Sequence, residues 1–194
     1  MPRGYGWIFP KRDHLNVGVY SIFGSHGLRE HLARFMSRYA CLQAARNGHV
    51  QGAAIPLRNR RAVFERERVW LLGDAAGCAE SVYGEGIYFA LKSAALAADT
   101  FAESSGAPRE GDFTRRVREK LAPELRCSER IGRALFRAPQ WVLRRMVESR
   151  RVSDDFGGLL LGSMSYRECL VRTILGMPRW ILTSEFRISP DLTF

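Results

Sequence analysis

The sequence predicts an α+β fold: an antiparallel sheet, then a strand–turn–helix unit, then a helical C-terminal region. Three observations carry this. Tyr5–Pro10 and His14–Tyr20 flank a short turn at Lys11-Arg12-Asp13 and read as a β-hairpin. The apolar run Val69–Leu72 ends at Gly73-Asp74-Ala75-Ala76-Gly77, and a second glycine turn, Gly84-Glu85-Gly86, leads into an alanine-rich stretch. That is the pattern of a buried strand, a tight turn and a helix. Beyond Pro108 the apolar spacing is helical. The expected domains are 1–68, a sheet with one helix; 69–104, the strand–turn–helix unit; and 105–194, a helical cap.

The remaining segments follow in order. Gly27 to Arg46 has helical spacing, with Leu28, Leu32, Phe35, Met36 and Tyr39 on one face and Asn47-Gly48 as its stop. His49–Leu57 reads as a third strand of the antiparallel sheet, and Arg58–Arg68 as a charged connector with a short strand around Ala62–Phe64. Val69–Leu72 is expected in a different sheet. The helix after the second glycine turn runs from Ile87 to Ala102, and Ser104–Pro108 breaks it. Gly111–Arg137 reads as one long amphipathic helix, and Pro139 restarts a helix through Trp141, Leu143 and Met146. Ser153–Leu161 is less regular. Ser165–Leu175 is again helical and stops at Met177-Pro178, before an irregular tail from Arg179 to Phe194.

A chain of 194 residues can hold one sizeable core, or a core with a helical appendage. Its apolar content of 46% marks it as globular. The net charge of +10, nearly all from arginine, suits nucleic acid, an anionic membrane surface or an anionic ligand. Zinc-knuckle spacing, RNP-like aromatics and basic heptads are all missing, so no nucleic acid partner is expected. Cys41, Cys78, Cys127 and Cys169 lie far apart with no C-x-x-C, which points to a reducing cytoplasm. The four histidines show no ligand spacing, so no metal is expected. No apolar run approaches a membrane span.

The order of strand, carboxylate, small residues, glycine turn and helix N-terminus suits a polar cofactor. Small residues let backbone approach a ligand, and a helix N-terminus offers N–H groups to an anion. Asp74 is also a plain candidate for a helix N-cap. The C-terminal part fits a cap over one end of the sheet, or a basic amphipathic surface resting on a membrane.

Taken together, GDAAG, GEGI and the ALKSAALAA helix resemble the second flavin-binding motif of the p-hydroxybenzoate hydroxylase class of flavoproteins, and most of all the geranylgeranyl reductases. YGWIFP followed by Gly18-Val19-Tyr20 resembles the Y-x-W-x-F-P…G-x-G motif of those reductases, with Tyr20 departing from its last glycine. Gly52–Leu57 resembles their G-x-x-I-P-L strand. With specific motifs, the resemblance covers Gly4 to Ala102.

The resemblance implies FAD as cofactor, held by Gly73, Asp74, Ala75 and Gly77 and by Gly84, Glu85, Gly86 and Ile87. Asp74 would accept from the ribityl chain, and the helix start would face the pyrimidine edge of the ring. It also implies that Tyr5, Trp7, Phe9 and Pro10 line a cavity for an isoprenoid chain or prenyl lipid, whose C=C bonds are reduced by hydride transfer from reduced flavin. No residue stands out as proton donor. No G-x-G-x-x-G is present, so the chain is expected to be the C-terminal portion of a longer flavoprotein, or one half of a split enzyme whose N-terminal FAD-binding half is its partner. Peripheral membrane contact is a further expectation. Alternatives are a flavin monooxygenase or halogenase, or a non-catalytic binding or membrane-surface remnant without flavin. Glu80 stands where the reductases carry no acid, and is expected to turn away or to mark weakened binding.

Overall fold

The computed structural model describes residues 4–24, 26–43, 48–57 and 64–183, the last seven as backbone. The predicted α+β class holds. Two compact units divide the chain, Met1–Arg137 and Ala138–Phe194.

In the first unit, β1 (Gly4–Pro10) and β2 (Leu15–Ser21) form the expected antiparallel hairpin, with Tyr5 opposite Tyr20, Trp7 opposite Gly18 and Phe9 opposite Asn16. The Lys11 N–H donates to the His14 carbonyl at 2.8 Å and closes the turn. Strand alternation puts Tyr5, Trp7 and Phe9 on one face and Gly6 and Ile8 on the other. Helix α1 (Leu28–Met36) covers that second face. Its Phe35 ring lies so close that a Cβ on Gly6 would be 2.7 Å away.

The single helix expected over Gly27–Arg46 is divided after Ser37, and α2 (Ala40–Gln43) follows a turn closed by the Leu42 N–H on the Tyr39 carbonyl, 2.9 Å. The expected stop at Asn47 and the strand at Ala62–Phe64 fall largely outside the described residues. His49–Leu57 is not a strand. Residues 48–56 are irregular and exposed, and only Leu57 pairs, in a parallel bridge to Ala79. Gly52-Ala53-Ala54 supplies little side chain to pack on a pleated surface, so the apolar alternation has no face to bury.

Strands β3 (Glu65–Arg66) and β4 (Val69–Trp70) make a separate two-stranded ribbon, as expected, though a short one. Helix α3 (Ile87–Glu103) buries Phe89, Ser93, Leu96, Ala97 and Thr100 at helical spacing and leaves Ile87, Leu91 and Phe101 exposed. It packs on α4 (Asp112–Arg116) and on the segment that continues α4. That segment is a π-helical turn, Val117–Leu121, leading into α5 (Ala122–Leu135), so the predicted long helix is continuous over residues 112–135 with one wide turn inside it. Phe89, Phe113, Val117, Leu121 and Leu125 form the buried core. Trp70 stacks on Phe113 with ring centroids 4.9 Å apart. The buried Glu65 carboxylate accepts the N–H groups of Gly111 and Thr114, two of the orphan donors at the start of α4.

The second unit contains α6 (Gln140–Glu148), α7 (Arg150–Leu160) and α8 (Tyr166–Thr183). The stretch expected to be irregular is helix α7. Ser149 caps it by accepting the Val152 N–H, and its buried Asp155 pairs with Arg172 of α8 at 2.7 Å. A capping box starts α8: the Glu168 N–H donates to Ser165 Oγ at 3.1 Å, and the Ser165 N–H donates to Glu168 Oε2 at 2.9 Å. The helix continues past Pro178, where a stop was expected, at the cost of the hydrogen bond proline cannot donate.

Candidate functional site

Leu72 is extended, and Gly73 turns the chain with φ +52° into a single 3₁₀ turn over Gly73–Ala76. Gly77 ends the turn in the left-handed region at φ +64°, where its N–H reaches the Asp74 carbonyl at 2.9 Å. The turn is anchored to α3. The Gly73 N–H donates to Ser93 Oγ at 2.9 Å, and a Cβ on Gly73 would meet the Ala90 Cβ at 2.8 Å. Asp74 and Ala75 project outward, exposed, while Ala76 to Val82 are buried.

The second glycine turn comes back beside the first. A Cβ on Gly86 would lie 2.8 Å from Asp74 Oδ1, so the Asp74 carboxylate sits over the first turn of α3. Among the described residues that carboxylate makes no hydrogen bond or ion pair. Glu85 behaves differently: its Oε1 accepts the Tyr88 N–H at 2.9 Å and caps the helix. One N–H of the helix N-terminus is therefore already taken. Ile87 stands exposed at the helix start.

The hairpin meets this loop through its aromatic face. Tyr5 donates its hydroxyl to the Tyr83 carbonyl, and Tyr20 donates to the Ser81 carbonyl at 3.4 Å. Phe136 of the segment after α5 closes the cluster, its ring 6.5 Å from Tyr5 and 6.3 Å from Tyr20. Trp7 and Phe9 extend the same face outward, and with Tyr5, Lys11 and Asn16 they line an open depression of about 330 Å³. Pro10, at the end of β1, is exposed.

Electrostatics keep these groups neutral. Burial, then the charge of Glu80, raises the Tyr5 and Tyr20 hydroxyls above the usual tyrosine range, so both stay donors. Burial, then the charge of Asp74, pushes the Cys78 thiol up to about 11, so it is no nucleophile at neutral pH. No group of His, Cys, Asp and Glu able to hold a metal is found among the described residues.

Sequence reasoning missed the supporting residues. Ser93 gave one signal, as one of two hydroxyls, with Thr100, on the buried face of the alanine-rich helix. Tyr20, Ser128 and Gly132 gave none, because their contacts with Ser81 span 47 or more positions.

An α+β protein with this hairpin, loop and helix has known counterparts. A crystal structure of a geranylgeranyl bacteriochlorophyll reductase-like protein from Thermoplasma acidophilum superposes with a TM-score of 0.63 at 19% identity, covering 89% of this chain and 47% of that one. That likeness speaks for the fold. No protein-family model matches the sequence. The geranylgeranyl diphosphate reductase of Synechocystis sp. is 36% identical over 126 residues, 61% of this chain and 30% of that protein. The chloroplastic geranylgeranyl diphosphate reductase of Nicotiana tabacum is 35% identical over 105 residues, 54% and 22%. A digeranylgeranylglycerophospholipid reductase of Methanothrix thermoacetophila is 28% identical over 196 residues, 98% and 46%. These matches make the chain similar to geranylgeranyl reductases, and it spans less than half the length of the relatives it matches.

Proposed function

We propose that this chain forms the substrate-side and second cofactor-binding portion of an FAD-dependent reductase of prenyl chains. The observation that carries this reading is the Asp74 carboxylate, exposed and uncommitted, lying against Gly86 at the start of α3. A carboxylate so placed accepts hydroxyl donors, and a ribityl chain presents a row of them. An alanine at Gly86 would push that carboxylate aside. When bound, reduced flavin supplies a hydride that, with a proton, saturates a C=C bond.

The chain's own residues orient and exclude water. The hairpin carries Tyr5, Trp7 and Phe9 in a row beside the loop, an apolar wall suited to an isoprenoid. Tyr5 joins the two functions, since its ring faces that wall and its hydroxyl holds Tyr83. Cofactor contacts are assigned to Gly73, Asp74, Ala75 and Gly77 and to Gly84–Ile87, with the rest of the cofactor's partners supplied by the length the relatives have in addition.

The test is an FAD titration followed by flavin fluorescence. The chain alone is expected to bind FAD weakly or not at all, and an isolated chain that purifies with stoichiometric flavin refutes that. The titration is therefore run with the N-terminal half of the cofactor site supplied as well. Asp74→Ala is expected to weaken binding by about 1–3 kcal/mol, the scale of losing a charged hydrogen-bond partner. It should leave the fold intact, because among the described residues nothing bonds to that carboxylate. Equal affinity in the variant removes Asp74 from the site.

A further inference from the structure

We infer that Glu80 is a positioning residue, whose carboxylate holds the Gly84–Gly86 turn in the shape that places Asp74 and the start of α3 against the ligand. The inference rests on the cofactor reading of that turn and adds a residue which the sequence made look harmful to it. A carboxylate in a cofactor loop opposes an electron-rich ligand when it faces that ligand. Glu80 does not. It is fully buried, and it faces back into its own loop.

Oε2 accepts the Val82 N–H at 2.7 Å, and Oε1 accepts the N–H groups of Tyr83 at 2.6 Å and Glu85 at 3.1 Å. The Glu80 N–H donates to the Glu85 carbonyl at 3.0 Å and closes the ring. A buried charge is tolerated only where hydrogen bonds replace its water, and three converging amides do that. Such a concavity of N–H groups is an anion nest. Here the protein fills it with an anion of its own, so the turn keeps its shape without a ligand phosphate.

The carbonyl side of the same loop is gripped from outside. Tyr83 gives its N–H to Glu80 and receives the Tyr5 hydroxyl on its carbonyl. Ser81 receives the Tyr20 hydroxyl, and Gly132 packs so closely that a Cβ there would lie 2.9 Å from the Ser81 oxygen. A turn fixed on both sides is preorganised, and the residues that fix it decide how well the ones it presents fit.

Two measurements on the chain, comparing wild type with Glu80→Gln, decide this. In amide exchange read by mass spectrometry, Glu80→Gln is expected to speed exchange at residues 82–85 by about tenfold or more while residues 122–135 stay unchanged. In saturation-transfer NMR with FAD as the probe, it is expected to lower transfer to the flavin-ring protons roughly fivefold relative to the adenine protons. A merely stabilising residue would scale both sets of protons together. Glu80→Asp keeps the charge with a shorter reach and should fall between wild type and Glu80→Gln. It also carries the comparison if the glutamine variant fails to fold. Unchanged exchange, or faster exchange with an unchanged ring-to-adenine ratio, overturns this inference alone. No transfer from FAD to the wild-type chain, alone and with the N-terminal half of the cofactor site supplied, overturns the cofactor reading and this inference with it.

Discussion

The indole of Trp7 lies across Gly18, its partner on the opposite strand: a Cβ on Gly18 would sit 2.0 Å from the ring's Cζ2. The same indole donates from Nε1 to Asn16 Oδ1 at 2.7 Å. A bare backbone on β2 is what lets an aromatic on β1 lie along the hairpin, so the tryptophan and the glycine work as a pair.

Gly18→Ala should therefore lower stability by about 1–3 kcal/mol, the usual cost of overpacking. Urea unfolding measures it, and near-ultraviolet circular dichroism should report a displaced tryptophan. Pairing the change with Trp7→Ala is expected to cost less than the sum of the two single changes, because the clash then has no second party.

Glu65 tests a different link. Its carboxylate reaches from the β3–β4 ribbon to the amides of Gly111 and Thr114 at the start of α4. Glu65→Ala leaves two donors without their acceptor and is expected to cost about 1–3 kcal/mol. The measurement is the denaturant midpoint, with the largest rise in amide exchange expected at residues 111–116.

Tyrosine and cysteine side chains withdrawn from water make the fold sensitive to alkali. Tyr5, Tyr20 and Cys78 all titrate higher in the folded chain than in the unfolded one. The unfolded chain thus loses protons first, and stability falls as pH rises above the ordinary cysteine and tyrosine values of 9.0 and 10.0. Below those values the contribution is complete, so urea midpoints should be level near neutrality and drop in alkali. Tyr20→Phe should flatten the drop. Labelling with a thiol reagent at neutral pH should modify exposed Cys41 quickly and buried Cys78 and Cys169 only on unfolding.

Among the described residues no helix is long and apolar enough to cross a membrane. Contact of the basic helices with an anionic membrane surface is a separate prediction. The structure limits its strength, because acids on the same helices already engage several arginines. Arg115 pairs with Asp112, Arg133 with Glu129 and Arg145 with Glu148, while Arg116 is held by Glu103 of α3. Each free arginine near an anionic surface contributes roughly 1 kcal/mol, and Trp141 stands exposed among them. Vesicle co-sedimentation should show binding to anionic lipid at low salt that fades as salt rises. Failure to bind at low salt leaves these helices as an ordinary cap.

What the sequence made legible was local. The hairpin followed from alternation around a short turn, and α3 from small and apolar residues between two glycine breaks. His49–Leu57 misled because its alternation is real but, among the described residues, finds no more than the Leu57–Ala79 bridge. Helix α7 was hidden by Gly157-Gly158, which lowers helix propensity; yet a Cβ on Gly158 would lie only 3.2 Å from Met164. At the candidate site, the glycines and Asp74 were visible as a pattern. The role of Glu80 was not, since nothing in the order of residues says which way a carboxylate turns.

The π-helical turn at Val117–Leu121 sets the rotational phase of α5. The Ala122 N–H reaches back five residues to the Val117 carbonyl, and Pro123, which has no N–H to give, comes next. The wide turn holds one residue more than an α-helical path would. Shortening the segment by that residue would turn α5 by about 100° about its own axis. Ser128 and Gly132, now aimed at Ser81, would point elsewhere, and a bulkier side chain would meet the loop. The spare residue keeps a distant helix aligned with the glycine turn, so this segment tolerates substitution far better than it tolerates a change of length.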